Sequence, residues 1–455
     1  MINEKTDFST IVATSTPRGY GGTALIRLSG PKALSIANKL LVSDKKLSPR
    51  KAVFGTLFDD NGMIDTAVVT FFNGPKSYTG EDIVEISVHG NPFICNLVVS
   101  ACQKHGAVSA GPGEFTQRAF LNGKMDLSQA EGVADIIYSS SRASLSASLK
   151  LLQGALGTEI TKIKIKLIDL ITILELEMDF REDEIDLLSE RDILGKISDI
   201  IMSIDQLIKT YNFGKIIQEG IRCPIIGAPN SGKSSLFNAL LQEERVIVSS
   251  MPGTTRDYIE ETIRIGNYQM RLMDTAGLRD TDEEIEIRGI QKTKQLMRES
   301  DILLYVIDLS SPLQETPALS QSEVKKTYFL LNKADIAPTA HIKRIISTLS
   351  NRPYFICSAL SHTGIHEIVS AIVDEIENIS PKNTAIIITR ERHKEVLLHA
   401  IKNLKRSIIS IRRGDAPEIT SIDLREALGQ IDIILGKTDN DDILNNIFKN
   451  FCVGK

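Results

Sequence analysis

The sequence has no tryptophan, and aromatic residues make up only 5% of its 455 positions. Its five cysteines form no CxxC pair and no set with the spacing of metal ligands, which argues against a disulfide scaffold or a zinc ribbon and favours a reducing compartment. Basic residues are not in excess, because 53 Lys and Arg face 58 Asp and Glu and leave a net charge of -5. The whole chain is therefore not a basic nucleic-acid coat, although a local basic face could bind RNA.

Long apolar runs are missing as well. The most apolar stretch, residues 167–178, is interrupted by three carboxylates and is too short to span a bilayer, so it predicts a packed helix. The first residues lack the basic start and the apolar core of a signal peptide. We therefore expect a cytoplasmic protein with no membrane association.

The composition is that of a globular protein, and the length allows about three domains. Residues 1–123 mix short β-rich runs with a helix at Pro92–Lys104, which predicts an α+β domain. Residues 124–215 have helical periodicity, 216–382 alternate strand, loop and helix, and 383–455 return to helical periodicity. The sequence thus predicts an all-α helical domain, in two parts, interrupted by an inserted α/β domain.

The run from Gly227 to Ser234 fits the phosphate-binding pattern GxxxxGK[ST], between a predicted strand and a predicted helix. Glycines let backbone N–H groups surround phosphates, Lys233 would neutralise them, and Ser234 would offer its hydroxyl to Mg²⁺. Pro224 is unexpected here, because it removes an amide from a strand that should be central. The candidate phosphate-binding residues are Asn230, Ser231, Gly232, Lys233, Ser234 and Ser235.

Three further motifs follow predicted strands in the order of a guanine-nucleotide site. The first motif, DxxG at Asp274–Gly277, would bring a carboxylate to the metal and an amide to the γ-phosphate. The second motif is NKxD at Asn332–Asp335, and the third, at Ser358–Leu360, would close over the base. In the second, Asp335 can accept from two donors of guanine that adenine lacks, which favours GTP. The motif residues are Asp274, Thr275, Ala276 and Gly277; Asn332, Lys333 and Asp335; and Ser358, Ala359 and Leu360.

The residue after the DxxG motif is Leu278, which cannot orient the attacking water as the glutamine of Ras-type GTPases does. Another group must therefore orient the water. The acidic segment 280–286 offers several carboxylates, and their chemistry alone does not show which of them acts.

Motifs outside the α/β domain complete the picture: SerTyrThrGlyGluAsp at 77–82 with His89-Gly90, ProGlyGluPhe at 112–115, AlaPheLeuAsn at 119–122 with Lys124, and PheCysValGlyLys at 451–455. With these, the whole chain resembles the MnmE/TrmE family of tRNA modification GTPases. The resemblance implies a homodimer with a folate-binding and dimerising N-terminal domain, a helical domain and an inserted G domain. It also implies a flavin (FAD)-dependent partner protein, with which such proteins add an aminomethyl-type (carboxymethylaminomethyl) group to carbon 5 of the wobble uridine of certain tRNAs.

The resemblance also implies roles for single residues. Glu286 matches the family's water-positioning carboxylate, and the segment 249–255 matches a loop that holds K⁺ beside the phosphates, where other GTPases use an arginine finger. Asn230 would complete the shell of the ion, and Thr255 would join Ser234 on Mg²⁺. The implied K⁺ ligands in the loop are Ser249, Met251 and Thr254; threonine is usual where Ser249 stands.

For a one-carbon folate, 5-formyl-tetrahydrofolate or a relative, the resemblance implies binding by Arg27, Glu85, Lys124 and Lys455, and it makes Cys452 a catalytic candidate. Without the family, these charged residues would be surface ion pairs and Cys452 a small buried apolar residue. A basic stretch in the second helical part is a candidate RNA surface, although such runs are more often solvated faces. It consists of Arg390, Arg392, Lys394, Lys402, Lys405, Arg406, Arg412 and Arg413.

One alternative is a ribosome-assembly GTPase that binds RNA and modifies nothing. Such a protein would normally carry a dedicated RNA-binding module, and no KH-like GxxG segment follows this G domain. A P-loop ATPase or kinase is opposed by Asn332-Lys-Ala-Asp335.

Overall fold

The computed structural model describes residues 9–179, 189–243, 245–246, 259–274, 296–311, 326–349, 352–381, 386–437, 444, 447–449 and 451–454. These residues form two compact units. The first comprises the described parts of Met1–Ala134, Leu151–Ile171 and Leu424–Lys455, and the second those of Asp135–Lys150 and Thr172–Asp423. The domain boundaries given above follow different borders and stay a prediction.

The first unit contains a seven-stranded sheet with the strand order β3-β4-β5-β6-β2-β1-β7. All neighbours are antiparallel except β1 and β7, which are parallel. The short β-rich runs predicted from the sequence correspond to β2, β4, β5 and β6. The strands are β1 (Ile11–Thr14), β2 (Gly21–Ser29), β3 (Leu41–Val42), β4 (Ala52–Asp59), β5 (Gly62–Phe72), β6 (Ile83–Gly90) and β7 (Val108–Ser109).

Helices α1 (Ala33–Leu40) and α2 (Pro92–Lys104) pack on one face of this sheet, where alternate strand residues such as Val84 and Ile86 are buried. Helix α2 has the predicted bounds. It begins there because the side chain of Asn91 accepts from the amide of Phe93 and proline occupies the first turn. The opposite face carries polar side chains, such as Glu85, and exposed apolar ones, such as Phe54 and Val68.

Further helices lie wholly or partly in the first unit. They are α3 (Glu114–Leu121), α4 (Leu127–Tyr138), α5 (Arg142–Leu152), α6 (Ala155–Asp179) and, later in the chain, α13 (Pro417–Leu435). A small core joins Leu127 and Ala130 of α4 to Leu444, Phe448 and Phe451 near the end of the sequence. Helix α6 confirms that the apolar run 167–178 is a packed helix.

The second unit contains an α/β domain with a sheet of order β14-β13-β12-β8-β11-β10-β9, in which β14, β13, β12, β8 and β11 are parallel. Its strands are β8 (Ile221–Gly227), β9 (Arg245–Val246), β10 (Ile259–Ile265), β11 (Tyr268–Asp274), β12 (Leu303–Asp308), β13 (Thr327–Asn332) and β14 (Tyr354–Ile356). Its helices are α9 (Lys233–Glu243), α10 (Thr339–Leu349) and α11 (Ile365–Ile379).

Pro224 lies in the central strand β8 and is tolerated there. It is level with Met273 of β11, whereas the pairing of β8 with β12 begins one residue later, at Ile225. The ladder with β12 therefore starts beyond the proline and does not need an amide at that position.

The helical part of the second unit consists of α7 (Glu190–Lys209), α8 (Tyr211–Glu219) and α12 (Glu391–Arg413), besides the shared helices. Helices α7 and α12 pack along each other. Each buries an apolar stripe and exposes charge on the opposite side. Among the described residues, no helix is long and apolar enough to cross a membrane.

Candidate functional site

The phosphate-binding loop lies where parallel strands end. Strands β8, β11, β12 and β13 finish at Gly227, Asp274, Asp308 and Asn332, and their carboxyl ends meet at one edge of the sheet. Crevices at this edge are where open α/β sheets bind ligands. Helix α9 begins at Lys233, so its positive end faces the same edge.

The loop has a backbone that side chains would block. Gly232 has φ +92°, and a Cβ there would stand 2.2 Å from Nδ2 of Asn332; at Gly227 it would stand 2.4 Å from O of Val306. Asn230 also has a positive φ, 62°, which asparagine tolerates better than most residues. The glycines therefore allow close packing of the loop on the neighbouring strands.

The side chains of the loop are directed inward. Nζ of Lys233 donates to O of Gly227 at 3.1 Å and to O of Ala228 at 2.9 Å. Oγ of Ser234 donates to Oδ2 of Asp274 at 3.0 Å, so the two expected Mg²⁺-site residues are in contact. Oγ of Ser231 is buried and has no hydrogen-bond partner among the described residues. A polar atom of this kind and a cradle closed to side chains suit a polyphosphate ligand.

Asn332 connects three motifs. It is 1% exposed, its Nδ2 donates to O of Ser231 at 3.0 Å, and its Oδ1 accepts from the amide of Ala359 at 3.0 Å. The motif's second residue, Lys333, donates to O of Asn230 at 2.9 Å and to Oδ2 of Asp308 at 2.6 Å. These contacts hold the phosphate loop, the NKxD motif and the last loop together.

Asp308 was not among the candidate residues predicted from sequence. Burial acts to raise the pKa of its carboxyl, but hydrogen bonds from Lys333 and Ser310 outweigh burial and hold the pKa below its ordinary value of 3.8. The signal that could have found it is its position at the end of β12, level with Asn332. It fixes Lys333, and through it the phosphate loop.

Asp335 has a different environment. Its side chain is exposed and makes no hydrogen bond or ion pair with any described residue. Ser358 is buried and pairs with Thr363, whereas Leu360 is 84% exposed beside it. The free carboxylate and the exposed Leu360 are thus available to a base, which Asn332 and Lys333 are not.

In the first unit, the motifs that stand apart in the sequence come together. Arg118 of α3 is 3% exposed and bonds to Glu81 at 3.2 Å, to Glu114 at 2.7 Å and to O of Ser9 at 2.9 Å. The segment 77–82, which contains Glu81, is also held by Asn122, whose Nδ2 donates to O of Thr79 at 2.8 Å. The three motif segments 77–82, 112–115 and 119–122 therefore form one hydrogen-bonded cluster.

Arg27 and Glu85 lie beside this cluster and are paired with each other. Nε and Nη2 of Arg27 both donate to Oε1 of Glu85, at 3.0 and 2.6 Å, while Oε2 accepts no hydrogen bond from the described residues. The guanidinium of Arg27 lies over the rings of Tyr78 and Phe115, at 5.5 and 5.8 Å from their centroids. Burial raises the pKa of Tyr78.

Two family models match the chain: the MnmE helical domain over residues 127–452, and the GTP-binding protein TrmE N-terminus over residues 10–124. The tRNA modification GTPase MnmE of Aquifex aeolicus is 39% identical over 449 residues, which covers 98% of this chain and 99% of the relative. That of Francisella philomiragia is 40% identical over 451 residues, with coverage of 98% and 99%. The chain belongs to the MnmE family of tRNA modification GTPases. The chain also aligns with the G domain of the T. maritima FeoB iron transporter, at 24% identity and a TM-score of 0.26, covering 34% of this chain and 97% of that one.

The C-terminal motif of this MnmE-family chain is bonded to other segments of the first unit. Val453 forms an antiparallel bridge with Pro112, and the amide of Gly113 donates to O of Cys452 at 3.3 Å. Oγ of Ser15, next to the end of β1, donates to O of Gly454 at 3.0 Å. Hydrogen bonds therefore fix residues 451–454 beside the ProGlyGluPhe motif.

Cys452 is exposed, whereas the other four cysteines, all in the described part of the chain, are buried. Burial raises the pKa of the Cys102 and Cys357 thiols to about 12 and that of Cys223 well above its ordinary value. The default expectation that Cys452 is a small buried residue is thus wrong. It is the thiol of this chain best placed to react.

Lys124 lies near the motif cluster, but Nζ donates to O of Pro75 at 2.9 Å. Several candidate residues lie outside the described residues, and their roles stay predictions: Ser249, Met251, Thr254, Thr255, Thr275, Ala276, Gly277, Glu286 and Lys455.

Proposed function

We propose that this protein is a potassium-dependent GTPase that acts with a flavin (FAD)-dependent partner to add a carboxymethylaminomethyl-type group to carbon 5 of the wobble uridine of certain tRNAs. The observation that carries the proposal is the presence of two built sites in one chain of the MnmE family. One is the phosphate loop with a free Asp335, and the other is the motif cluster to which the Cys452 segment is bonded. The proposed domains are 1–123, 124–215 with 383–455, and 216–382.

In the nucleotide site, the amides at the start of α9 and Nζ of Lys233 would bind the phosphates, and Ser234 and Asp274 would hold Mg²⁺. The contact between Ser234 and Asp274 supports this assignment, because it brings a hydroxyl and a carboxylate to one point. Asp335 would accept from N1–H and the 2-amino group of guanine. Its exposure and lack of partners within the described chain support that role.

For hydrolysis, Glu286 would position water, and K⁺ would be bound by Asn230 and residues of the segment 249–255, with Thr255 on Mg²⁺. K⁺ would supply positive charge beside the β- and γ-phosphates. The exposure of Asn230 in the loop supports its part, since its side-chain amide is open to a ligand.

In the first unit, Glu85 and Arg27 would bind a one-carbon folate such as 5-formyl-tetrahydrofolate, which would supply the carbon unit when bound. The unused Oε2 of Glu85 suits the donors of a pterin ring, and Tyr78 and Phe115 offer aromatic surface beside it. Lys124 and Lys455 would take the anionic tail. Cys452 would act in the modification chemistry.

A homodimer through the N-terminal domain is part of the proposal. Val42, Phe54 and Val68 lie exposed on the sheet, and Phe54 is level with Val68 on the neighbouring strand. Apolar side chains placed side by side on an open strand face are typical of surfaces that a second subunit covers.

The test is nucleoside analysis of tRNA from a deletion strain that expresses the wild-type protein or Cys452→Ser. We expect wild type to restore the modified wobble uridine, and Cys452→Ser to lose it while retaining K⁺-stimulated GTPase activity of the purified protein. Normal levels of modified nucleoside in the Cys452→Ser strain would remove the thiol from the chemistry. If tRNA of the deletion strain itself still carries the modified wobble uridine at normal levels, the ribosome-assembly alternative replaces the proposal.

A further inference from the structure

The structure separates the basic residues around α12 into two groups. Arg390 pairs with Asp135 at 2.6 Å, Lys394 lies over the ring of Tyr211 at 4.6 Å, and Arg406 pairs with the buried Asp423 at 2.7 Å. Nη2 of Arg392 lies 3.1 Å from Nε2 of His393. These four cations make internal contacts. They account for part of the basic stretch without any ligand.

Four other cations remain on the outward side of the helix: Lys402, Lys405, Arg412 and Arg413. All four are exposed, and no ion pair joins any of them to a residue in the described ranges. The helix buries Leu397, Ala400 and Leu404 on its opposite side, against the core. We call these four residues the α12 basic face.

The distribution of charge around this face is uneven. No Asp or Glu occurs between Val396 and Arg413, in a chain whose net charge is -5. Cations in the last turn favour the negative end of a helix, which accounts for Arg412 and Arg413. It does not account for Lys402 and Lys405, which lie two to three turns earlier, where the dipole effect has decayed.

The acidic residues that follow the face in sequence lie beyond the end of the helix. Asp415 and Glu418 follow the helix, and on the packed helix α7 the Lys209 ammonium is already paired with Asp205 at 2.7 Å. The exposed side chains between the four cations are Arg406 and Ile409. The face therefore combines unpaired positive charge with some apolar surface over about 16 Å of helix.

We propose that the α12 basic face binds phosphates of the tRNA backbone; this rests on the proposed function and assigns it a tRNA-contacting surface. Phosphate binding by Lys and Arg is sequence-independent and releases counterions, so it suits a protein that acts on several tRNAs. Base-specific reading is not expected from these four side chains.

The test compares two variants with equal loss of charge. The first carries Lys402→Gln, Lys405→Gln, Arg412→Gln and Arg413→Gln. The control carries Lys39→Gln, Lys150→Gln, Lys166→Gln and Lys196→Gln, which are exposed lysines on α1, α5, α6 and α7. Glutamine keeps helix propensity close to that of Lys and Arg, so both variants should fold.

Binding of unmodified tRNA is measured by fluorescence anisotropy over a series of KCl concentrations. We expect the first variant to bind at least tenfold more weakly than wild type, with a slope of log K against log [KCl] that is less steep by up to about 3. The control should keep most of the wild-type slope, and K⁺-stimulated GTPase activity without tRNA should be unchanged in both.

Equal tRNA binding by the two variants would overturn the inference. So would a first variant that binds tRNA like wild type but no longer binds the flavin-dependent partner, since the face would then serve a protein contact. In either case, wild type that restores modified uridine in the deletion strain keeps the proposed function intact. Wild type that neither binds tRNA nor restores modification defeats both.

Discussion

The attachment of the C-terminal motif can be tested at one glycine. Gly454 has φ +94°, and a Cβ on it would stand 2.4 Å from O of Thr14 and 3.0 Å from Cα of Ser15. Both neighbours are backbone atoms of or next to β1, where Thr14 is paired with Ile26. Because β1 is held in the sheet, Gly454→Ala should displace the C-terminal segment and leave the strand in place.

The size of the effect follows from the contacts. A non-glycine residue at positive φ costs roughly 1–2 kcal/mol, and losing the bond from Ser15 to O of Gly454 costs about 1 kcal/mol more. The total of about 2–3 kcal/mol corresponds to an increase of about 30- to 150-fold in the population of the detached segment. Burial of Phe451 still favours attachment by about 1.5–3 kcal/mol, so the chain should fold.

Hydrogen exchange of the full chain measures this population directly. The amide of Gly113 donates to O of Cys452, so its exchange should accelerate in Gly454→Ala by the same factor. Gly62→Ala is the control, because Gly62 has φ +125° with no heavy atom within 4 Å of the added Cβ. If both variants exchange alike at Gly113, attachment does not depend on the close approach of Gly454, and the reasoning fails.

Three further outcomes are expected at the G domain. Asp335→Asn should move nucleotide preference from GTP toward xanthosine triphosphate, because the acceptor becomes a donor; equal binding of ATP and GTP by wild type would contradict guanine specificity. Turnover should fall sharply when Na⁺ replaces K⁺ or in Glu286→Ala, with nucleotide binding retained; equal turnover in both salts would remove the role of K⁺. Asp308→Asn should lower thermal stability at neutral pH. Since the pKa of Asp308 is depressed, its contribution is present above the ordinary value of 3.8 and lost as pH falls through the lower folded value, so the difference in melting temperature should shrink in acid. A difference that stays constant with pH would exclude the ion pair as its cause.

Local patterns were sufficient to predict several strands of the two sheets and the phosphate loop. The helix Pro92–Lys104 and the presence of strands just before the motifs at Gly227, Asp274 and Asn332 follow from periodicity and from turn and cap residues, which act over a few positions. The Arg118 cluster and the bridge from Pro112 to Val453 could not be predicted in this way, since each joins residues far apart in the chain. Exposure of Cys452 depends on those same contacts. The family motifs marked the segments, but not which atoms meet.

Neighbouring residues of the NKxD motif have different roles: two of them make structural contacts, and one is exposed. Asn332 is buried, and both polar atoms of its side-chain amide form hydrogen bonds, with Ser231 and Ala359. Lys333 has a positive φ, and its ammonium donates hydrogen bonds to the phosphate loop and to Asp308. Both residues therefore set the shape of the site and have little left to offer a base. Asp335 makes no contact of this kind within the described chain, so guanine selectivity should depend on Asp335, whereas changes at Asn332 or Lys333 should weaken binding of any purine nucleotide.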